Sequence, residues 1–249
     1  MNTQLENLLE VAEYYTPSET VDIPAGETKI IEFAGLNSQR YGFNRILVGG
    51  TGLSKIYCTV KKNNGRDTII PRIQLETLKK LFLERSIEGA IGIAKGTNVQ
   101  FVLENTGVAT QKVNVELIGY DTEHLIRKIQ AYESKNLPFP AVEFITTQIT
   151  VPANTEQLRV DISMPEYETR LYRIAMSNDQ QDEDILVSMM QNRTLIKDEV
   201  FLNQINEEFA NMRIILPRTL KARDPFEIYL SNLSGNPVNV SFLGETYRI

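Results

Sequence analysis

The sequence predicts an all-β chain made of two tandem eight-stranded antiparallel jelly-roll sandwiches, a double jelly roll, each with one inserted helix, plus a short N-terminal helix. Three observations predict it. The run Val113-Asn114-Val115-Glu116-Leu117-Ile118-Gly119 returns as Val238-Asn239-Val240-Ser241-Phe242-Leu243-Gly244. Short β-branched runs punctuated by Gly, Asn, Asp and Pro occur in the same order in both halves of the chain. A segment of helical period interrupts each series at the same ordinal place, between the fifth and sixth strands. Self-similarity at a fixed offset signals duplication of one structural plan.

Residues 1–18 are expected to form an N-terminal helical arm, with Thr3 and Glu6 in capping-box spacing and Leu5, Leu8, Leu9 and Ala12 on one face. Thr16-Pro17 ends the helix. Its charges are Glu6, Glu10 and Glu13, so its apolar stripe is expected to dock on protein rather than on anionic lipid.

The first roll spans 19–120, with strands near 19–23, 28–34, 43–49, 55–61, 67–70, 89–94, 98–104 and 111–119. Turn chemistry separates them: Pro24-Ala25-Gly26, Gly49-Gly50-Thr51-Gly52, Asn63-Asn64-Gly65 and Asn105-Thr106-Gly107. The inserted helix, about 71–85, is expected to open at Pro71 and to present Leu75, Leu78 and Phe82. Residues 121–144 form a connector helix and linker: Asp121 or Thr122 caps a helix carrying Leu125, Ile129 and Tyr132, and Pro138 and Pro140 force an extended exit.

The second roll spans 145–249 and repeats the plan. Val151-Pro152-Ala153-Asn154 answers Ile23-Pro24-Ala25-Gly26, Arg173-Ile174-Ala175-Met176 answers Arg45-Ile46-Leu47-Val48, and Ile185-Leu186-Val187 answers Ile56-Tyr57-Cys58. Strands are expected near 145–151, 157–163, 170–177, 184–191, 193–196, 212–216, 225–231 and 237–247. The second inserted helix, about 198–211, is expected after Asp198 as cap, with Phe201, Leu202, Ile205 and Phe209 on one face. Eight short strands without alternating helices favour a jelly roll. The alternative is a tandem of seven-stranded immunoglobulin-like sandwiches, against which the inserted helices argue.

Composition narrows the function. At 42% hydrophobic and 23% charged, the 249 residues are those of a globular protein with room for two domains. No run of about 18 apolar residues occurs and no signal peptide is expected. The formal charge of −6 falls in residues 121–249, the first 120 being balanced, which disfavours nucleic-acid binding. The single cysteine, Cys58, cannot form an internal disulfide.

The catalytic options fail on residue types. A tandem jelly roll invites a bicupin metal enzyme, which needs clustered imidazoles, yet the one histidine is His124 in the connector helix. Cys58 has no nearby histidine to activate it, and Gly49-Gly50-Thr51-Gly52 joins strand to strand, whereas phosphate cradles lead into a helix. No catalytic, cofactor-binding or metal-binding residue is assigned, and no enzymatic activity is expected. The acidic stretch Asn178–Asp184 lacks the Gly and terminal Glu of an EF-hand and reads as a solvated loop. Tyr41, Phe43 and Tyr120 are available aromatics for a sugar platform, though strand aromatics are usually core. The sequons at Asn192, Asn232 and Asn239 read as turn and ladder chemistry.

With its Pro24-Ala25-Gly26 and Pro152-Ala153-Asn154 turns, two mid-roll helices, connector and paired endings at Val113 and Val238, the chain resembles the double jelly-roll major capsid proteins of tailless icosahedral viruses with an internal membrane. It resembles most the small, loop-poor corticovirus and finnlakevirus type. The resemblance covers nearly everything after Glu19. It implies a homotrimer forming a pseudo-hexagonal capsomer, neighbouring capsomers and penton proteins as partners, an underlying viral membrane near the base, no specific nucleic acid, and residence in the virion shell after assembly in the host cytoplasm. The alternative is a tandem jelly-roll carbohydrate-binding or attachment protein of the spike type. In either case Phe226, Leu230, Val240 and Phe242 belong to the core. A buried unpaired charge costs several kcal/mol, so Phe242→Asp or Leu230→Asp is expected to abolish the cooperative thermal transition of the purified protein.

Overall fold

The computed structural model describes residues 14–15, 17–34, 41–83, 86–87, 90–94, 96–120, 122–136, 139–180, 184–191, 193–205, 218–220 and 225–248. After a two-residue strand, β1 (Tyr14–Tyr15), come β2 (Ser18–Ile23), β3 (Thr28–Ala34), β4 (Tyr41–Gly50), β5 (Ile56–Lys62), β6 (Asp67–Gln74), helix α1 (Leu75–Phe82), β7 (Ile91–Ile93), β8 (Asn98–Asn105) and β9 (Gln111–Tyr120). Helix α2 (Thr122–Glu133) leads to β10 (Val142–Val151), β11 (Thr155–Ile162), β12 (Thr169–Asn178), β13 (Ile185–Gln191), β14 (Thr194–Phe201), a helical turn at 202–205, β15 (Arg218–Leu220), β16 (Phe226–Asn232) and β17 (Val238–Arg248).

These strands form four antiparallel sheets. In the first half β9 lies between β4 and the β1–β2 edge, with β7 beyond β4, and the facing sheet runs β3-β8-β5-β6. In the second half the orders are β10-β17-β12-β15 and β11-β16-β13-β14. With β2 and β10 as the first strands of their units, both units share the orders first-eighth-third-sixth and second-seventh-fourth-fifth. That is the jelly-roll wiring, and it excludes the immunoglobulin-like alternative. Period-two patterning puts one face of the central strands inside: Val99, Phe101 and Leu103 of β8 and Phe226, Ile228 and Leu230 of β16 are all buried. Phe226 and Phe242 meet across the second core with centroids 6.3 Å apart.

Strand register corrects the alignment of the two halves. Leu47 pairs with Glu116, and its counterpart Ala175 pairs with Leu243. Val113 therefore corresponds to Val240, Glu116 to Leu243 and Tyr120 to Tyr247. The textual echo between Val113–Gly119 and Val238–Gly244 runs two residues out of register. A slip of two keeps every side chain on its own face, which is why the echo still looks convincing.

Three local expectations also change. Pro71 opens no helix: β6 continues to Gln74 and α1 starts at Leu75. β6 is a sheet edge, and its register jumps between Ile70 and Ile73, so Pro71 occupies an irregular edge position where no ladder N–H is required. Asp198 is no helix cap either, because β14 pairs with β13 as far as Phe201 opposite Leu186. Ser188 Oγ accepts the Glu199 N–H there at 3.0 Å. Tyr14–Tyr15 pair with Tyr120 and Gly119 rather than being helical. The expected helix at 1–13, the strand near 212–216 and residues 206–211 of the second inserted helix lie outside the described residues. Arg218–Leu220 pairs with β12 as the second unit's sixth strand.

Each roll is closed at one end by a buried asparagine. Asn105 Nδ2 donates to the carbonyls of Ile23 (2.9 Å), Pro24 (3.2 Å) and Ala109 (2.8 Å), while its Oδ1 accepts the Gly107 N–H (2.9 Å). Asn232 repeats the arrangement: Nδ2 to Val151 O (3.2 Å), Pro152 O (2.9 Å) and Asn236 O (2.8 Å), with Oδ1 accepting the Ser234 N–H (2.9 Å). Each clamp ties the proline turn to the last turn of its roll, which crosses from one sheet to the other. Gly26 and Asn154 take the left-handed conformation at φ 74° and 51°, which explains why equivalent turn positions hold these two residue types.

Replacing Asn232 by Ala strands buried carbonyls and is expected to lower unfolding free energy by about 2–4 kcal/mol in urea titration. Asn232→Asp places a carboxyl among three carbonyl oxygens, raising its folded-state pKa above the unfolded value. Whatever stability that protein retains at low pH is lost as pH rises through the folded-state pKa, so its midpoint should fall between about pH 4 and pH 7 relative to wild type.

Candidate functional site: the seam between the rolls

The two rolls are joined along a buried seam built around α1. Burial of Leu75, Leu78 and Phe82 ties one side of the helix to its own roll, and Arg45 holds its C-terminal end, Nε donating to Phe82 O at 3.0 Å and Nη2 to Leu83 O. A cation donating to the last carbonyls satisfies groups that the helix itself cannot. The other side lies on β12 and β17 of the second roll. Phe144, Ala175 and Leu243 of the second roll consequently belong to the first roll's hydrophobic cluster, and the Phe82 and Phe144 rings meet at 6.2 Å.

At the centre of the seam is a buried polar relay. Ser177 Oγ donates to Gln74 Oε1 at 2.7 Å and also bonds the Thr77 hydroxyl. A hydroxyl has one proton, so Thr77 is the donor to Ser177. Gln74 Nε2 donates to Asn239 O (3.3 Å), and the Gln74 N–H reaches Ser241 Oγ (3.4 Å). Two partly exposed links flank the relay. Lys55 Nζ donates to Asp179 O at 2.7 Å and lies 3.4 Å from its carboxylate, and Arg72 Nη1 donates to Gln148 Oε1 at 3.0 Å.

The Lys55 link also fixes how the rolls stand. Lys55 lies beside the Asn105 turn, since Thr106 N–H donates to Lys55 O, and Asp179 N–H donates to Asn239 O beside the second proline turn. Both asparagine-clamped ends therefore point the same way. The exposed apolar residues Val108 and Leu233 stand on the corresponding turns at that end.

Residues weighed as chemical groups find structural uses. Cys58 is fully buried, and burial pushes its thiol pKa up, away from nucleophilic use. Tyr120 is buried rather than presented as a platform; its hydroxyl accepts from Asn44 Nδ2 (2.9 Å) and Lys128 Nζ (2.8 Å), and burial raises its pKa. Phe43 is core. Asp179 of the acidic stretch is engaged by Lys55 and by Asn239, whose N–H and Nδ2 donate at 2.9 and 3.0 Å; residues 181–183 lie outside the described residues. So do the side chains of Tyr41 and His124, the latter on α2. Among the described residues no three His, Cys, Asp or Glu side chains gather as a metal site, and no helix is long and apolar enough to cross a membrane. An open groove of about 510 Å³ flanks the seam, lined by Ile69, Pro71, Ile91, Val142 and Phe144 among others.

No protein-family model matches the sequence, and no curated protein does. Solved structures match its fold. The major capsid protein of Sulfolobus turreted icosahedral virus superposes with a TM-score of 0.54 at 12% identity, covering 95% of this chain and 97% of that one. A second structure from the same virus gives 0.53 at 12% identity, covering 95% and 91%. The major capsid protein of bacteriophage PM2 gives 0.45 at 10% identity, covering 93% and 97%. The first two comparisons place the chain in the double jelly-roll fold over nearly its full length.

Ser177→Ala is expected to cost about 1–3 kcal/mol, because it leaves Gln74 Oε1 buried without its donor. Lys55→Ala, at a half-exposed pair, should cost less than about 1 kcal/mol. Urea unfolding of the two variants beside wild type measures both.

Proposed function

We propose that this chain is a structural capsid protein that trimerises into pseudo-hexagonal capsomers tiling an icosahedral shell, with no catalytic activity. The observation that carries the reading is the paired arrangement of the rolls: two units of one wiring, side by side and the same way up, locked by a buried seam. Three such chains present six similar sandwiches around one axis. A six-lobed tile covers a closed surface with few distinct contacts, and closed symmetry lets identical chains bury large areas without forming fibres.

The fold shared with the turreted virus capsid protein supports the reading, and because one fold hosts many functions the seam-locked pairing of the rolls is the further support. The seam fixes the angle between rolls, which is what a tile requires. In this reading 19–120 and 145–249 are the two rolls and 121–144 the connector. Residues 1–18 serve as an arm at the capsomer base, toward any underlying membrane, and the shell holds neighbouring capsomers and penton proteins as partners. The turns bearing Val108 and Leu233 lie at the end opposite Tyr14–Tyr15.

Multi-angle light scattering on the purified protein tests this. A mass of three chains, or larger assemblies built from that unit, is expected; a strict monomer at every concentration, with no particles in any solvent, contradicts it. Deleting residues 1–16 should leave the thermal midpoint nearly unchanged and impair particle formation.

A further inference from the structure

The internal seam has two halves, and the duplication provides each half a second time, uncovered. Cross-strand register identifies the counterparts. Tyr57 pairs with Gln74 and Leu186 with Phe201, so Phe201 stands where Gln74 stands. Leu202 and Ile205 follow at the spacing of Leu75 and Leu78, and all four are fully buried, which places Gln204 where Thr77 is. On the receiving sheet Ala175 and Ser177 correspond to Leu47 and Gly49, and Ser241 and Leu243 to Asn114 and Glu116.

Burial separates the two sets. In the seam that is made, Gln74 and Thr77 are 0% exposed, as are Ser177 and Leu243, with Ala175 and Ser241 at 1%. In the duplicate, Phe201 is 36% exposed, Gln204 is exposed, and Leu47, Gly49, Asn114 and Glu116 are all half-exposed. We infer that these surfaces are the two sides of a junction between chains, in which Phe201 and Gln204 of one copy dock on Leu47, Gly49 and Asn114 of the next.

The substitutions between the copies are complementary. The donating side exchanges Gln for the larger, apolar Phe, and the receiving side exchanges Ser for Gly. A Cβ at Gly49 would meet nothing within 4 Å, so space lies open above that strand. An aromatic ring over a glycine replaces the amide–hydroxyl relay of the internal seam, and Leu47 in place of Ala175 enlarges the apolar contact. The two faces differ and sit on different rolls, so the junction is head-to-tail, and repetition of a head-to-tail contact closes into a ring when its rotation allows. The occupant is a second copy of this chain, because among the described residues the surface complementary to each half is the other half. This rests on the capsomer reading and assigns its contact.

Sedimentation of wild type, Phe201→Asp and Gly49→Arg tests the assignment. Both substitutions are at solvent-facing positions, and matching thermal midpoints would show that the fold is retained. Each single variant should associate about 30-fold or more weakly than wild type. Their equimolar mixture should form a two-chain complex that stops there, since Phe201→Asp keeps a working receiving face and Gly49→Arg a working donating face. A Phe201→Cys, Gly49→Cys chain should cross-link between chains on oxidation, Cys58 being buried and out of reach. Variants that assemble like wild type, or assembled double-cysteine protein that gives no interchain disulfide, would overturn this junction and leave the capsomer reading standing. Wild type that never associates would remove both.

Discussion

The arrangement of this molecule depends on one contact, the burial of α1 between two β-sandwiches. Each jelly roll pairs its own strands within two facing sheets and packs its core between them. What makes two rolls one rigid body is that Gln74 and Thr77 leave the first roll's surface and end among Ser177, Ser241 and Asn239 of the second. The relay is made of neutral groups, each of which costs little to bury once satisfied and much once orphaned. It therefore specifies a single angle between rolls more sharply than apolar packing by Phe82, Phe144 and Leu243 would.

The duplication was legible because strand patterning and turn chemistry are local. Proline turns, Gly or Asn at left-handed positions, and the alternating cores of β8, β13 and β16 are all present in the sequence as short-range signals. The exact correspondence was less so. A period of two allows an alignment to slip by two without penalty, and only the pairing of Leu47 with Glu116 and Ala175 with Leu243 reveals it. Pro71 misled for a different reason: proline suits a first helical turn and an irregular edge strand equally, and the choice between them depends on a β5 neighbour that the local text does not specify.

The seam itself was invisible in the sequence. Ser177 and Ser241 are outward positions of their sheet, and a serine there normally faces water. Nothing local distinguishes them from Gly49 and Asn114, their counterparts on the first roll. Asn105 and Asn232 were present in the repeated stretches, yet their role as clamps emerges only when three carbonyls converge on each amide. The signal that could have found them is identity at matched turn positions in otherwise divergent copies. Where the copies diverge most usefully, at Gln74 against Phe201 and Ser177 against Gly49, one version is satisfied within the chain and the other is left for a neighbour.

The central claim is that the two rolls are consecutive lobes of a six-lobed tile. Direct imaging of the purified, associated protein by electron microscopy tests it at modest resolution. Class averages with six lobes around an axis are expected, alternating in two kinds because the rolls are similar and not identical. Averages showing a two-lobed particle alone, or an open filament of lobes, would contradict it.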